Sequence, residues 1–298
     1  REFVKTLPGF EEAFMVRPGY AVEYDYVDPI DLHPSLESRR MTSLYLAGQT
    51  NGSSGYEEAA AQGLMAGINA VLSMRGEEPI ILSRSEAYIG VLIDDLVTLG
   101  AKEPYRMFTS RAERRLSLRH DTADRRLSPY AIKIGLASPE RAERFAKKTE
   151  GMSVIRELLE QRKITDADSK ENACFAPHIG ESLAFALKDP KIAGLNLLEL
   201  EPALSQWPLS LVEGLVLDIR YEGYIAKEAR LSARLEKLDG AKLAQDFDYR
   251  QVAGLSSESI EKLLAVQPLS LGQASRIPGV RPSDIALLAI RLNKKHDS

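Results

Sequence analysis

The first readable pattern along the chain has period 2. In residues 20–26, YAVEYDY, Tyr20, Val22, Tyr24 and Tyr26 alternate with Ala21, Glu23 and Asp25, which predicts a half-buried strand. Residues 44–47 form a second short apolar run, read as a strand and closed by Gly48. From about Glu57 the period lengthens. Ala61, Leu64, Met65, Ile68, Val71 and Leu72 fall on one helical face. From Ser85 onward the periodicity is mostly helical, broken at TLGAKEP, LSP, ASPE, AFALKDPK, EPALSQWP, KLDG and RIPGVRP. Tyr224, Leu231, Leu235 and Leu238 make a further stripe that ends at Gly240, a residue type suited to a helix C-terminus. The segment SLGQASRIPGVRPSDIALLAIRL reads helix, Pro-Gly turn, helix, with Ser283 or Asp284 as the second cap. The pattern divides near 85 and more softly near 222.

Composition narrows the function classes. A chain of 298 residues has room for two or three domains with a sizeable core. No run of about 18 apolar residues occurs, so no membrane span is predicted. The opening REFVKTLPGF lacks the apolar stretch of a secretory signal. A lone cysteine, Cys174, excludes an internal disulfide framework and fits a cytoplasmic home. His33, His120, His178 and His296 are scattered without ligand spacing, so no metal site is expected. The net charge of −4 argues against a uniformly basic nucleic-acid binder but leaves room for a local basic patch.

Two stretches carry candidate chemistry. The first is LAGQTNGSSGYEEAAAQG, residues 46–63, where an apolar run hands over to a helix. A helix N-terminus is positive and leaves N–H groups without intrahelical partners, so it suits an anion. Gly52 and Gly55 permit unusual backbone angles, and the alanines and glycines keep the helix slim. The alternative is a capped helix packed tightly on a sheet. Neither GxGxxG nor GxxxxGK[ST] occurs, so no phosphate loop is present. The second stretch runs from Lys102 to Arg126. Its eight Lys and Arg against four Asp and Glu make a basic island of +4 in an acidic chain. Arginine forks suit phosphate oxygens, and Tyr105 and Phe108 are positioned to stack on bases. The alternative is a solvated face with internal ion pairs. Trp207 beside Pro208 reads as a packing anchor, and His120 as a surface histidine.

AGQTNGSSGYEEAAAQG resembles the C-terminal flavin-binding motif of the tRNA uridine 5-carboxymethylaminomethyl modification enzymes, the MnmG (GidA) family. RPGYAVEYDYVDP, AYIGVLIDDLVTLGAKEPYRMFTSRAERRLSLRHDTADRRL, RYEGYIAKE, DYRQVAGLSSE and LGQASRIPGV resemble the same family in the same order. The resemblance implies a fold of α/β plus all-α type. The C-terminal remnant of a Rossmann-type FAD-binding domain (1–85) would precede a helical domain with the basic stretch (86–222) and a helical subdomain (223–298). It also implies that the glycine-rich FAD fingerprint, a nicotinamide-related insertion and the catalytic cysteines lie outside these residues. No catalytic residue is therefore assigned, and Cys174 is a bystander.

The family relation further implies an FAD-dependent modification of wobble uridine C5 in tRNA, with NADH as reductant, a folate one-carbon donor, an MnmE-type GTPase partner and a homodimeric assembly. By resemblance, Gly48, Gln49, Asn51, Gly52, Gly55, Tyr56 and Glu57 form the cofactor neighbourhood, with the helix N-terminus facing the pyrimidine side of the isoalloxazine. Arg106, Arg111, Arg114 and Arg115 lead the tRNA contacts, Arg114 standing where the family often has Tyr. The 223–298 tail, with its helix-hairpin-helix pattern, would dock the GTPase partner. Two other classes stay open: a non-catalytic RNA-binding or adaptor module, and a folate- and FAD-dependent tRNA methyltransferase relative. The long helical C-terminal region speaks against the latter.

Overall fold

Strong local start signals recur along the helical part of the chain. Ser138, Thr165, Ser182, Ser256 and Ser270 each accept a hydrogen bond from a backbone N–H in the first turn that follows. Thr165 and Asp168 complete a reciprocal capping box. Pro139 and Pro282 occupy first helical positions, where a missing N–H costs nothing.

The computed structural model describes residues 2–20, 23–192, 197–244 and 247–296. Its α-helices are α1 (Glu2–Lys5), α2 (Tyr56–Met74), α3 (Tyr88–Leu99), α4 (Ala123–Lys133), α5 (Pro139–Gln161) and α6 (Asp166–Glu171). They continue with α7 (Leu183–Ala186), α8 (Leu197–Leu200), α9 (Leu209–Gly240), α10 (Ser257–Val266), α11 (Leu271–Arg276) and α12 (Pro282–His296). Short 3-10 turns join many of them.

Among the described residues no β-strand forms; only isolated bridges occur, such as Leu32 with Ser38 and Glu37 with Tyr45. The expected strands at 20–26 and 44–47 are therefore not realised here. Of the first, Ala21 and Val22 lie outside the described residues, while Tyr20, Tyr24 and Tyr26 are exposed. A strand needs a neighbour to take its backbone groups. Val27 N–H finds Thr50 O at 2.8 Å, but no ladder follows.

The helix expected from Glu57 starts at Tyr56; of its expected apolar face Met65 and Leu72 are buried and Ala61 and Ile68 half-buried, whereas Leu64 and Val71 are exposed, because α3 covers only one side of the stripe. Leu32, Leu36, Met65, Ala66, Ile93 and Val97 make one buried cluster, which spans the boundary expected near 85. A second core joins α5, α7 and α9 around Phe175, Leu159, Leu183, Leu187 and Ile219. Trp207 packs against it beside Gly151, where an added Cβ would meet the indole ring at 2.7 Å. Cys174 is half-buried on the same core. A third core, around Leu263, Leu271, Ala274, Ile277 and Leu288, unites α10, α11 and α12.

α9 runs unbroken through 222 and through Gly240, with Ala241 as its cap, so a helix continues where the softer boundary was expected. Tyr224 is 64% exposed, so the stripe drawn through it does not mark the buried face; 231–236 lie outside the described side chains. The final hairpin forms as expected, but its cap works from inside. Asp284, in the first turn of α12, accepts from Arg281 N–H at 3.1 Å and from Ser259 Oγ at 2.8 Å.

Candidate functional site

The 46–63 segment folds into a buried polar knot. Gln62, one and a half turns into α2, reaches back under the turn: its Oε1 accepts from Gly48 N–H at 2.9 Å and from Asn51 Nδ2 at 3.0 Å. Gln62 Nε2 donates to Ser53 Oγ at 2.6 Å. Asn51 Nδ2 also reaches Leu46 O at 2.8 Å. Asn51, Ser53 and Gln62 are all buried. Directional bonds of this kind hold a turn in one shape where apolar packing could not. Gly48 and Gly52 both take positive φ, 78° and 75°. A Cβ on Gly52 would press into Ala101 at 2.8 Å and into the Tyr26 ring at 2.9 Å.

Of the seven residues expected beside a cofactor, the structure turns Gln49, Tyr56 and Glu57 outward; Tyr56 is 92% exposed. Asn51 faces inward and is a strut of the knot, with its Oδ1 buried and unpartnered. Gly48 and Gly55 are buried backbone positions. The α2 N-terminus has no side-chain cap from Gly55. The acidic pair divides: Glu57 is exposed, whereas Glu58 is 7% exposed and folds over Gly55. In a first helical turn, two acidic residues read alike as ordinary dipole compensation. The missed signal was the position of Glu58, third in the helix, from which a carboxylate can reach back.

Glu58 also ties the turn to the basic stretch. Its Oε1 accepts from Met107 N–H at 2.9 Å and lies 3.5 Å from Arg106 Nε. The Met107 N–H is the largest cause that holds the Glu58 carboxyl below its ordinary pKa, and the Arg106 guanidinium adds to it. Beside it, Tyr105 N–H donates to Gly52 O at 2.7 Å, and Ser53 pairs with Tyr105 in a parallel bridge. The two stretches singled out from sequence are therefore one unit.

The basic stretch divides into cations that brace the fold and cations that face solvent, and Arg84, outside the stretch, organises the bracing. Arg84 is the hub: it donates to Asp95 Oδ1 at 2.6 Å, to Asp94 Oδ2 at 3.1 Å, to Glu113 Oε1 at 2.8 Å and to Arg111 O at 3.0 Å. Burial alone would lower the Arg84 pKa, but hydrogen bonds to Glu113 and Asp95 and the nearby carboxylates raise it on balance. Arg119 binds Asp121 and Asp218, Arg125 binds Asp218, and Arg126 caps the Ser117 and Arg119 carbonyls. Arg111 donates to Arg106 O at 3.1 Å and lies over the Tyr105 ring at 4.6 Å.

Tyr105 is buried, its hydroxyl donating to Asp95 Oδ2 at 2.8 Å, so it cannot stack on a base. Burial is the main reason its hydroxyl pKa is raised. Phe108, 61% exposed, keeps that option. Arg114 lines a separate cleft of about 490 Å³, with Arg84, Asp94, Glu113, Gln273 and Arg276. Arg115 is exposed and makes no ion pair among the described residues, and Arg106 is exposed with Glu58 as its partner. His120 is also exposed. No cluster of His, Cys, Asp and Glu among the described residues could hold a metal ion, and no described helix is long and apolar enough to cross a membrane.

Comparisons with known proteins agree along the whole chain. Residues 1–78 match the family model for glucose inhibited division protein A. Residues 139–229 match the tRNA modifying enzyme MnmG/GidA C-terminal helical domain, and 232–298 match its C-terminal helical bundle. The tRNA uridine 5-carboxymethylaminomethyl modification enzyme MnmG of Borrelia garinii subsp. bavariensis is 51% identical over 290 residues, covering 97% of this chain and 46% of that protein. The Syntrophotalea carbinolica protein of the same name is 48% identical over 295 residues, covering 98% of this chain and 48% of its own length. The structure of Aquifex aeolicus GidA in its form II crystal superposes with a TM-score of 0.80 at 38% identity, over 98% of this chain and 47% of that one. The chain thus spans about half the length of the curated relatives it matches.

Proposed function

The chain belongs to the MnmG/GidA family, and from that premise we propose that it is the flavin-flanking and RNA-facing part of an FAD-dependent enzyme that modifies C5 of the wobble uridine of tRNA. One observation carries the proposal: Tyr105 N–H to Gly52 O and Met107 N–H to Glu58 lock the cofactor-type turn to the arginine loop. A redox group at the turn and an RNA on the loop would then share one rigid support.

The residues present fit one edge of a flavin. Gln49, Tyr56 and Glu57 are exposed around a helix end whose cap residue, Gly55, gives no side-chain bond, and the knot beneath them fixes the turn. Gln49 and the α2 N-terminus would hold the polar edge of the isoalloxazine ring. FAD would supply the redox chemistry, with NADH as reductant. The exposed Leu64, Val71 and Met74 on α2, and the 23–28 segment, which forms no strand ladder, support 1–85 as one side of a larger FAD-binding domain of Rossmann type. Arg106 and Arg115 would hold RNA phosphates. The α10–α12 module, with its own core, would dock an MnmE-type GTPase, within a cytoplasmic homodimer.

The test is a titration of the purified chain with tRNA across salt concentrations, with flavin absorbance recorded on the same sample. Arg106→Ala and Arg115→Ala should each weaken binding and flatten the salt slope by about 1. Unchanged binding in both variants refutes the RNA face. Retained flavin that survives Gln49→Ala with an unchanged spectrum refutes the cofactor turn. A colourless protein that still binds tRNA favours the adaptor-module reading. For the tail, deletion of 225–298 in the full-length enzyme should abolish GTPase binding; retained binding refutes docking there.

A further inference from the structure

The Glu58 carboxylate lies where the turn, the α2 N-terminus and the arginine loop meet. It is buried, although carboxylates are seldom buried without a partner. Its neighbours are few and specific. Oε1 takes the Met107 N–H at 2.9 Å and faces Arg106 Nε at 3.5 Å. The other oxygen lies over Gly55, where any side chain would collide with it. Arg106, by contrast, leaves 56% of its side chain in solvent. One end of this contact is therefore fixed and the other is presented outward.

From this geometry we infer that Glu58 is a positioning residue: its carboxylate sets where the Arg106–Met107 backbone sits and how much of the Arg106 charge is offered to RNA. The inference rests on the reading that Arg106 faces RNA. Two functions of the carboxylate separate chemically. As an acceptor it holds the Met107 N–H, which a neutral amide oxygen can also do. As a charge it partly neutralises Arg106, which an amide cannot do. Glu58→Gln keeps the first and loses the second, whereas Glu58→Ala loses both.

The experiment compares the 298-residue chain with its Glu58→Gln and Glu58→Ala variants. The RNA probe is a synthetic anticodon stem-loop with uridine at the wobble position. Binding is followed by fluorescence anisotropy across salt concentrations, and the Met107 amide by hydrogen exchange. Glu58→Gln should bind at least as tightly as the parent, with a salt slope no flatter than the parent's. Glu58→Ala should bind about 5–10-fold more weakly than Glu58→Gln, and its Met107 amide should exchange about 10-fold faster, as expected for one lost buried hydrogen bond. Rescue by glutamine separates positioning from a general loss of folding. Equal Met107 exchange in the two variants overturns the inference, and so does equal RNA binding when the parent binds. If the parent chain fails to bind the RNA, the RNA reading falls, and with it the Arg106 role; Met107 exchange then still reports whether Glu58 holds the segment.

Discussion

The region from the 46–63 turn to Arg126 and the region from α5 to α12 are built differently. The first is held by buried polar and ionic bonds: the Gln62 knot, the Glu58 clamp and the Arg84 hub. Its apolar clusters are small. The second is held by two large apolar cores, with polar groups used mainly as helix caps and surface pairs. Directional bonds fix exact positions but tolerate no missing partner. Apolar burial tolerates reshuffling so long as volume is kept. The proposed ligand contacts Gln49, Arg106 and Arg115 lie in the first region, and the proposed docking body lies in the second.

The largest effect should come from breaking the apolar side. Phe175 is completely buried among α5, α7 and α9, so Phe175→Ala should cost about 3–5 kcal/mol in urea unfolding. A cost below about 1 kcal/mol would show that this core is not what holds the region. The polar side is tested next by Gln62→Leu, which keeps volume but strands the Gly48 N–H and the Asn51 and Ser53 side chains. A cost of about 1–3 kcal/mol is expected, with lost hydrogen-exchange protection at 48–53. Leu159→Met, a volume-keeping swap in the apolar core, should leave exchange there unchanged.

Acid should act through the caps and pairs. The Arg162 guanidinium holds Asp168 at about 2, and Arg281 holds Asp284 at about 2. Both pKa values lie below the unfolded value of about 4, so this stability is complete above pH ~4 and fades as pH falls toward ~2. Asp168→Asn should reduce that loss in urea melts at pH 5 and pH 3. His178 runs the other way. Glu181, and then Asp189, raise its pKa, so its contribution is full below the unfolded value of about 6.5 and is lost as pH rises through the folded pKa. The smallest change in stability should be at Arg115. Arg115→Ala should stay within about 0.5 kcal/mol of the parent in urea, which would sharpen its assignment to binding alone.

The helices were legible because their apolar spacing and their Ser, Thr and Pro start signals agree locally, as at Ser138-Pro139 and Ser256. The 20–26 alternation was equally regular, yet no ladder formed, because a strand depends on a neighbour that local pattern does not supply. Tyr105 and Phe108 looked alike on paper. Packing buried one against Asp95 and Arg111 and left the other in solvent. Likewise, a count of eight basic residues could not separate the Asp95-bound Arg111 and the Asp218-bound Arg119 and Arg125 from the exposed Arg106 and Arg115.

By itself the sequence determined the helical periodicity, the glycine-punctuated turn ahead of α2 and the family membership, since each rests on residues adjacent in the chain. Only the tertiary structure decided that the turn and the basic stretch are one unit, and which of two adjacent glutamates joins them. Glu58 and Met107 lie 49 residues apart, and a bond across that separation exists only once α2 and α3 have packed.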